Sequence, residues 1–195
     1  MDNGYKIPSA REFNKLAKYG KLTSKDVLIT FDDVAKSAKI LFDILVEHQL
    51  YFTAFISPYL VQVDDEYMNW SQLVGYLSTG FLDIGNHSFS HESFLDYSKK
   101  KIIDEIKRGE NEIKKNLNVE SCGFAFPYGQ FQRWQLSFIS KQTGKMIFLT
   151  DSKLKDNLIN SRYVFKRIPI GKATKMYIFN SALKGRLRFF SRGML

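Results

Sequence analysis

The stretch ITFDDVAKSA, residues 29–38, leads an apolar segment into two adjacent carboxylates, Asp32 and Asp33. Residues Val27–Thr30 predict a buried β-strand, and Ala35–His48 carries apolar residues at helical spacing. Two neighbouring negative charges at the end of a strand repel each other, so they must stay solvated or bind a cation. A solvated loop and an N-cap to the following helix are the structural explanations for the pair.

Short apolar runs alternate with longer amphipathic ones along the rest of the chain. Further strands are predicted at Tyr51–Ile56, Leu82–Gly85, Ser121–Phe126, Met146–Leu149 and Tyr163–Ile168. Further helices are predicted at Asn69–Thr79, Ser98–Asn116, near Phe131–Lys141 and from Thr174 to about Phe190. In the first helix, the residues expected to face the core are Ala38, Leu41, Ile44 and Leu45. Repeated strand–helix–strand units predict an α/β domain with a largely parallel sheet or barrel, whose chemistry gathers at the carboxyl ends of the strands.

The composition is that of a globular protein. The chain has 195 residues, of which 44% are hydrophobic and 25% are charged, so it can bury a sizeable core. We expect one domain over residues 1–195, with an N-terminal extension at 1–24 and a basic C-terminal helix at 174–195. The lone Cys122 cannot form an internal disulfide.

The formal net charge of +9 favours anionic partners. None of the usual nucleic-acid-binding modules is visible, so we expect no nucleic-acid partner, and the sequence indicates no oligomeric state. With neither a secretory signal nor a membrane-spanning apolar run in the sequence, we expect a cytoplasmic protein. Its C-terminal helix either contacts the inner face of an anionic membrane peripherally or packs on the domain with a solvated basic face. That helix combines apolar Ile178, Phe179, Ala182, Leu183, Leu187 and Phe190 with basic Lys184, Arg186, Arg188 and Arg192.

A second stretch, DIGNHSFSHESF at residues 83–94, places His87 and His91 four residues apart. On a helical turn, that spacing would aim both imidazoles at one point. Two imidazoles and a carboxylate are a recurring ligand set for a catalytic divalent ion, which would also explain the aspartate pair. Two structural histidines are the alternative, and His48, late in the first helix, is expected to be solvated or to cap it.

Three motifs, TFDD, HSFSH and FAFPYG, follow one another in this order. Together they resemble the polysaccharide deacetylase family, the NodB-homology group of carbohydrate esterases, over roughly Val27 to Ile170. The segments YFTAFI and MNWSQLVGYLSTGFLDIGNH are similar to that family as well. The resemblance implies an α/β fold, a distorted (β/α) barrel of fewer than eight strands.

The resemblance also implies site residues. Asp32 falls on the general base of the family, and Asp33, His87 and His91 fall on its metal ligands. The implied cofactor is one divalent transition metal, zinc in the first place, with cobalt or nickel as alternatives. The third motif implies catalysis by the backbone N–H of Tyr128, which would stabilise an oxyanion. The substrate-binding residues implied by that motif are Phe126, Pro127, Tyr128 and Gly129.

The sequence departs from the family pattern at three places. Val34 replaces the usual glycine of the first motif, and the arginine common before the proline of the third motif is missing. No histidine follows His91, so the usual late general acid has no counterpart. Arg167 lies about where a subgroup carries an arginine on a late strand; we include it in the catalytic set as a group that orients Asp32 or binds an anionic substrate, with a plain ion pair as the alternative.

These observations predict a metal-dependent hydrolase that removes an N-acetyl group from an amino sugar of a polysaccharide or of a glycan-biosynthesis intermediate. One alternative enzyme removes formyl or another small acyl group from a lipid-linked sugar. The alternative from a different class is a non-catalytic carbohydrate-binding or regulatory protein that retains the fold.

Overall fold

The structure, a computed structural model, describes residues 4–150, 163–171 and 173–184. Within these ranges, six parallel strands pair in sequential order and form a curled half-barrel. The predicted α/β fold, a distorted barrel with fewer than eight strands, is therefore confirmed. The strands are β1 (Thr30–Asp32), β2 (Phe52–Ile56), β3 (Leu82–Asn86), β4 (Gly123–Ala125), β5 (Met146–Leu149) and β6 (Val164–Lys166).

Within the described residues, helices connect β1 to β2, β2 to β3, β3 to β4 and β4 to β5, since parallel neighbours require a crossover between them. The longest helix begins after the predicted N-cap Ser98, whose side chain accepts a hydrogen bond from the Lys101 backbone N–H. Short 3₁₀ turns lie at Lys36–Ala38 and Pro127–Gly129. The helices are α1 (Ala10–Lys18), α2 (Lys39–Glu47), α3 (Pro58–Val63), α4 (Trp70–Ser78), α5 (Lys99–Leu117), α6 (Arg133–Thr143) and α7 (Met176–Leu183).

The predicted helix at Ala35–His48 corresponds to α2, and the prediction of which of its residues face the core was partly wrong. Leu41 and Ile44 are 49% and 44% exposed, whereas Phe42 is fully buried. The Phe42 ring lies 4.9 Å from that of Phe31 and 4.6 Å from that of Phe52, between centroids. The helix turns its largest side chain toward the sheet, and the buried stripe therefore runs through position 42 rather than through 41 and 44.

Aromatic rings fill the interior of the half-barrel. Phe13 of α1 belongs to the same buried cluster as Phe55 and Phe148, and its ring lies 5.1 Å from that of Phe165. At Gly85, a Cβ would lie 2.3 Å from the Phe55 ring, so a side chain there would overlap the packed aromatic. Helix α1, which the sequence interpretation had assigned to an N-terminal extension, thus contributes to the packing inside the strands.

The carboxyl ends of the strands carry candidate site residues singled out above. Asp32 is the last residue of β1, His87 follows β3, Phe126 follows β4 and Arg167 follows β6. Because the strands are parallel, these four positions lie at one end of the half-barrel.

The C-terminal helix is described as far as Lys184, and α7 ends at Leu183. No helix of the described residues is long and apolar enough to cross a membrane. The remaining residues predicted for this helix, Arg186, Leu187, Arg188, Phe190 and Arg192, lie outside the described part of the chain.

Candidate metal centre and active site

Asp33 leaves the end of β1 in a left-handed backbone conformation. Its φ is 65° and that of Val34 is 51°, while the Asp33 N–H donates to the Phe55 carbonyl oxygen across the sheet. The turn directs successive side chains differently, so Val34 is fully buried whereas Asp33 stays partly accessible. A non-glycine residue held in such a conformation costs about 1 to 3 kcal/mol. The surrounding contacts must supply that free energy.

His87 is oriented by the strand next to it. The ring is 2% exposed, and its Nδ1 lies 2.9 Å from the Ala125 carbonyl oxygen at the end of β4. With Nδ1 as the donor to that carbonyl, Nε2 is the free acceptor, as a metal-ligating imidazole requires. The Nε2 atom lies 3.6 Å from Asp33 Oδ1 and 4.0 Å from Asp32 Oδ2.

His91 reaches the same place from a loop and not from a helical turn. Ser88 and His91 both have positive φ, 67° and 60°, and the His91 N–H donates to Ser88 Oγ. The loop folds back on itself through these two residues, and the His87 and His91 ring centroids come within 5.1 Å. The four-residue spacing therefore brings the imidazoles together by a tight loop.

Asp33, His87 and His91 offer ligand atoms that all lie within 4.8 Å of one another. The His91 Nε2 atom lies 2.9 Å from Asp33 Oδ1. Among the described residues, neither of these two buried atoms has a hydrogen-bond partner. One carboxylate oxygen and two imidazole nitrogens are a donor set that suits a zinc-like ion with open positions. The residues present fit a divalent transition metal.

Nearby charges and burial shift the pKa values of this cluster in opposite directions. Burial raises the pKa of Asp33, but contact with His91 and the charges of His87, His91 and Arg167 outweigh it and hold the pKa below its usual value. Burial lowers the pKa of His87, and the negative charges of Asp32 and Asp33 only partly oppose this effect. An ionised aspartate beside a neutral imidazole is the protonation pattern that metal binding requires.

Asp32 is held by a bidentate ion pair. Arg167 Nη1 and Nη2 donate to Asp32 Oδ1 and Oδ2 at 2.6 and 2.7 Å. The Arg167 side chain is 11% exposed and its guanidinium lies 5.2 Å from the Phe55 ring centroid. The fork of an arginine fixes both oxygens of a carboxylate in one plane, which a single point charge cannot do. The contact is a partly buried ion pair beside His87, so it agrees both with a group that orients Asp32 and with the structural ion pair that the sequence left open.

The third motif forms a 3₁₀ turn above the histidines. Tyr128 has a φ of 57°, its side chain is 67% exposed, and its ring centroid lies 4.7 Å from that of His91. A Cβ on Gly129 would lie 2.4 Å from Thr150 Oγ1, which explains why glycine occupies this position. Phe126 and Pro127 are buried, so a substrate at this edge would meet the backbone of the turn and the Tyr128 ring.

Two residues near the site were missed by the sequence interpretation. The segment around Tyr67 pairs with the residues after Asp33, since the Met68 N–H donates to the Val34 carbonyl. Burial and the nearby charge of Asp33 raise the pKa of Tyr67. Glu105 of α5 is fully buried and accepts hydrogen bonds from Ser90, next to His91. An acid within the apolar stripe of α5 was a signal that the sequence did contain.

Comparison with known proteins finds relatives of the same fold. A family model described as polysaccharide deacetylase matches residues 19–148. The Streptococcus pyogenes deacetylase PplD in complex with acetate superimposes with a TM-score of 0.81 at 19% identity, over 93% of this chain and 81% of that chain. For IcaB from Ammonifex degensii the TM-score is 0.75 at 21% identity, over 95% of this chain and 82% of that chain. At such identities the likeness shows the fold.

Curated relatives are similar in sequence as well. The poly-beta-1,6-N-acetyl-D-glucosamine N-deacetylase of Staphylococcus epidermidis is 26% identical over 137 residues, which are 64% of this chain and 47% of that protein. The chain spans about half the length of the curated relatives it matches. The matched family region runs from before β1 into β5 and contains Asp32, Asp33 and both clustered histidines. The chain belongs to the polysaccharide deacetylase family.

Proposed function

We propose that this chain is a metal-dependent N-deacetylase that hydrolyses the N-acetyl group of an amino sugar in a polysaccharide or glycan-biosynthesis intermediate. The observation that carries the proposal is the convergence of three metal-ligand atoms within 4.8 Å, beside the arginine-bound Asp32. The staphylococcal relative acts, by its name, on a polymer of β-1,6-linked N-acetylglucosamine, which supports this class of substrate.

Asp33, His87 and His91 would hold the ion, zinc in the first place, with cobalt or nickel also suited to this donor set. When bound, such an ion polarises the acetyl carbonyl and makes a water molecule acidic enough to lose its proton near neutral pH. The hydrogen bond between His87 Nδ1 and the Ala125 carbonyl fixes the ring so that Nε2 faces the site.

Asp32 is proposed as the general base that takes the proton of the attacking water. Arg167 keeps both carboxylate oxygens in place, yet each oxygen retains a lone pair that can accept a proton. We propose that protonated Asp32 then returns this proton to the leaving nitrogen. One carboxyl group would then serve as base and acid in turn.

Tyr128 is proposed to act in two ways. Its backbone N–H would donate to the oxyanion that forms on the acetyl carbon. Its exposed ring, which lies against His91, would offer an apolar face to the sugar. Phe126, Pro127 and Gly129 would contribute through the shape of the turn.

The alternatives are less well supported. A binding protein without catalysis would not need Asp32 held beside the Asp33, His87 and His91 cluster, and this arrangement supports the catalytic proposal. Removal of a formyl or other small acyl group would use the same residues, so substrate screening distinguishes it from deacetylation. The predicted cytoplasmic location stays a prediction.

We also propose peripheral contact with an anionic membrane through the C-terminal segment. Helix α7 exposes Met176, Tyr177 and Phe179 at 70%, 55% and 38%. Exposed apolar side chains next to basic residues suit a surface of anionic lipid. The basic residues in this part of the sequence are Lys172, Lys175, Lys184, Arg186, Arg188 and Arg192.

The function is tested by metal content and acetate release together. Protein reconstituted with Zn²⁺, Co²⁺ or Ni²⁺ should bind about one ion per chain and release acetate from oligosaccharides of N-acetylglucosamine. Asp32→Asn should retain the metal and lose about 10²- to 10⁴-fold in turnover. His87→Ala should lose metal and turnover together, and the exposed His48→Gln variant serves as the control. Unchanged turnover of Asp32→Asn would contradict the assignment of the base.

A further inference from the structure

Glu105 is a buried acid that the proposed chemistry does not use. It lies in the middle of α5, between the core residues Ile102 and Ile106, and is 0% exposed. Removing a carboxylate from water is unfavourable unless hydrogen bonds or charges compensate for the lost solvation. An apolar side chain would be the ordinary choice at this position, so the partners of Glu105 show what the acid provides.

The partners of Glu105 are in the loop that carries His91. Its Oε2 accepts a hydrogen bond from the Ser90 backbone N–H at 2.9 Å and another from Ser90 Oγ at 2.8 Å. Its Oε1 lies 3.4 Å from Lys101 Nζ and 3.9 Å from Arg108 Nη1, which balance the charge. Hydrogen bonds to an ionised acceptor are stronger than neutral ones, so this contact ties the loop firmly to α5.

The loop needs such a tie because its conformation is unfavourable by itself. Ser88 and His91 both occupy the left-handed region, which persists only where the surroundings enforce it. On the other side of His91, the Tyr97 hydroxyl donates to Glu92. The loop backbone is thus held directly by a partly buried contact at Ser90, and the Glu92 side chain after His91 is held by a more exposed one.

We infer that Glu105 is a positioning residue of the metal centre, which holds His91 in place through its two hydrogen bonds to Ser90. The inference rests on the proposed function, because His91 must be a metal ligand for its position to matter. Without the anchor, the loop can leave the left-handed conformation, and His91 Nε2 then moves away from its place 2.9 Å from Asp33 Oδ1. Removal of Glu105 would therefore lower the affinity for the metal, although Glu105 itself does not contact the ion.

The test measures the dissociation constant for Co²⁺ of the full chain, from the visible absorption of the bound ion. Glu105→Ala should raise the constant at least about tenfold, within the range seen when groups that orient metal ligands are removed. Glu105→Gln keeps an oxygen that can accept both Ser90 donors, so its affinity should lie between those of Glu105→Ala and the wild type. Ser90→Ala, which keeps the backbone donor, should have a smaller effect than Glu105→Ala.

Glu112→Gln is the matched control. Glu112 lies on the same helix and contacts Gln62 and Asn116, away from the His91 loop, so its Co²⁺ affinity should equal that of the wild type. The melting temperature of each metal-free variant separates positioning from core stability. Lower melting temperatures with unchanged Co²⁺ affinity for Glu105→Ala would overturn the inference.

The remaining outcomes also decide. If Glu105→Ala does not fold, Glu105→Gln and Ser90→Ala carry the test, and wild-type affinity in both would overturn the inference. If the wild type binds Co²⁺ one to one while every variant matches it, the inference fails and the proposed function stands. Failure of the wild type to bind Co²⁺ would overturn the proposed function and the inference with it.

Discussion

At Val34, the backbone conformation is unfavourable and the burial of the side chain is favourable. Its φ of 51° is one that a β-branched residue rarely adopts, and its side chain is nevertheless fully buried. The positive φ explains why the family usually has glycine at this position. The buried side chain, packed in the core cluster with Phe42 and Met68, explains why valine can replace it.

Substitution of Val34 separates these two effects. Val34→Gly loses about 1.5 to 3 kcal/mol of apolar burial and about 0.4 to 1 kcal/mol to the freedom of the unfolded chain. The substitution also relieves about 1 to 3 kcal/mol of backbone strain, which is a gain in stability. Because the losses exceed the gain, we expect a fall of about 1 kcal/mol in the free energy of unfolding, measured with urea. Val34→Ala keeps a Cβ at positive φ and should be less stable than Val34→Gly. The reverse order of stability would contradict the proposed backbone strain at this position.

The lowered pKa of His87 predicts a pH effect on the metal-free protein. Burial lowers this pKa, so the unfolded chain binds a proton that the folded chain does not. This contribution to stability is present above the unfolded value of about 6.5 and is lost as the pH falls below it. Urea unfolding of metal-free protein between about pH 7.5 and 5 should therefore show falling stability on acidification.

The His87→Gln variant should flatten this dependence, with His48→Gln as the control for removal of an exposed histidine. An unchanged pH dependence in His87→Gln would show that His87 is not the group responsible. Protons and metal compete for the same ring nitrogens, so all samples must be free of metal.

At the scale of elements, the half-barrel depends on glycines that leave room for aromatic rings. A Cβ on Gly85 of β3 would lie 2.3 and 2.4 Å from two atoms of the Phe55 ring, which packs against Phe148. Gly85→Ala should therefore destabilise the protein by about 1 to 3 kcal/mol through overpacking. Urea unfolding measures this change.

Gly75 of α4 provides the matched control, because a Cβ there would meet nothing within 4 Å. Gly75→Ala should stabilise the protein by about 0.8 to 1 kcal/mol, the difference between the two residues inside a helix. Phe55→Leu combined with Gly85→Ala should recover part of the loss. Equal stability of Gly85→Ala and the wild type would show that the Phe55 ring moves aside freely.

The elements that sequence periodicity predicted well are those with a strong apolar pattern. Strand β5, Met146–Leu149, was predicted with its observed bounds, and α5 began at its predicted cap. The signal for helix α1 was present but overlooked: Ser9 caps it, and its buried residues Ala10, Phe13 and Ala17 recur at helical spacing. The pattern does not show that Phe13 reaches the barrel interior. The six-residue α3 follows β2 almost directly and is too short for periodicity to reveal.

The candidate site was predictable for a different reason. Its motifs lie at the ends of parallel strands, where topology alone brings them together. The loop conformation that delivers His91 was not predictable, because it depends on contacts between a loop and a distant helix. The sequence marked Glu105 as an acid within the apolar stripe of α5 but not as the partner of that loop. Ser88 and His91 carry no sequence signal for positive φ, as glycine would.

For the whole molecule, the ion pair between Asp32 and Arg167 joins the two ends of the sheet. Strands β1 and β6 are its outer strands, and the bidentate contact links residues 135 positions apart. The same pair lies beside the proposed metal ligands, so one arginine contributes both to closure of the half-barrel and to alignment of the proposed base.

Arg167→Met should lower the free energy of unfolding by about 1 to 3 kcal/mol, given the partial exposure of both groups. Arg167→Lys keeps the charge but not the fork, so it should recover stability more fully than acetate release. Chemical denaturation and acetate assays on the same samples test this. Full activity in Arg167→Lys would show that charge alone, without bidentate geometry, is sufficient at Asp32.

The exposed apolar face of α7 predicts that the whole molecule binds to anionic membranes. With a net charge of +9, the protein should sediment with vesicles containing phosphatidylglycerol and much less with phosphatidylcholine alone. Replacing Met176, Tyr177 and Phe179 by serine should abolish this binding, because the apolar contribution of the segment is lost.

The control replaces the equally exposed Ile40, Leu41 and Ile44 of α2 by serine. That variant carries the same loss of apolar surface at another place, so it should bind vesicles like the wild type. Wild-type binding by the α7 variant would exclude its apolar face as the membrane contact. Loss of binding in 0.5 M salt by every form would then assign the interaction to charge alone, since salt at about this concentration screens exposed charges beyond a few ångströms.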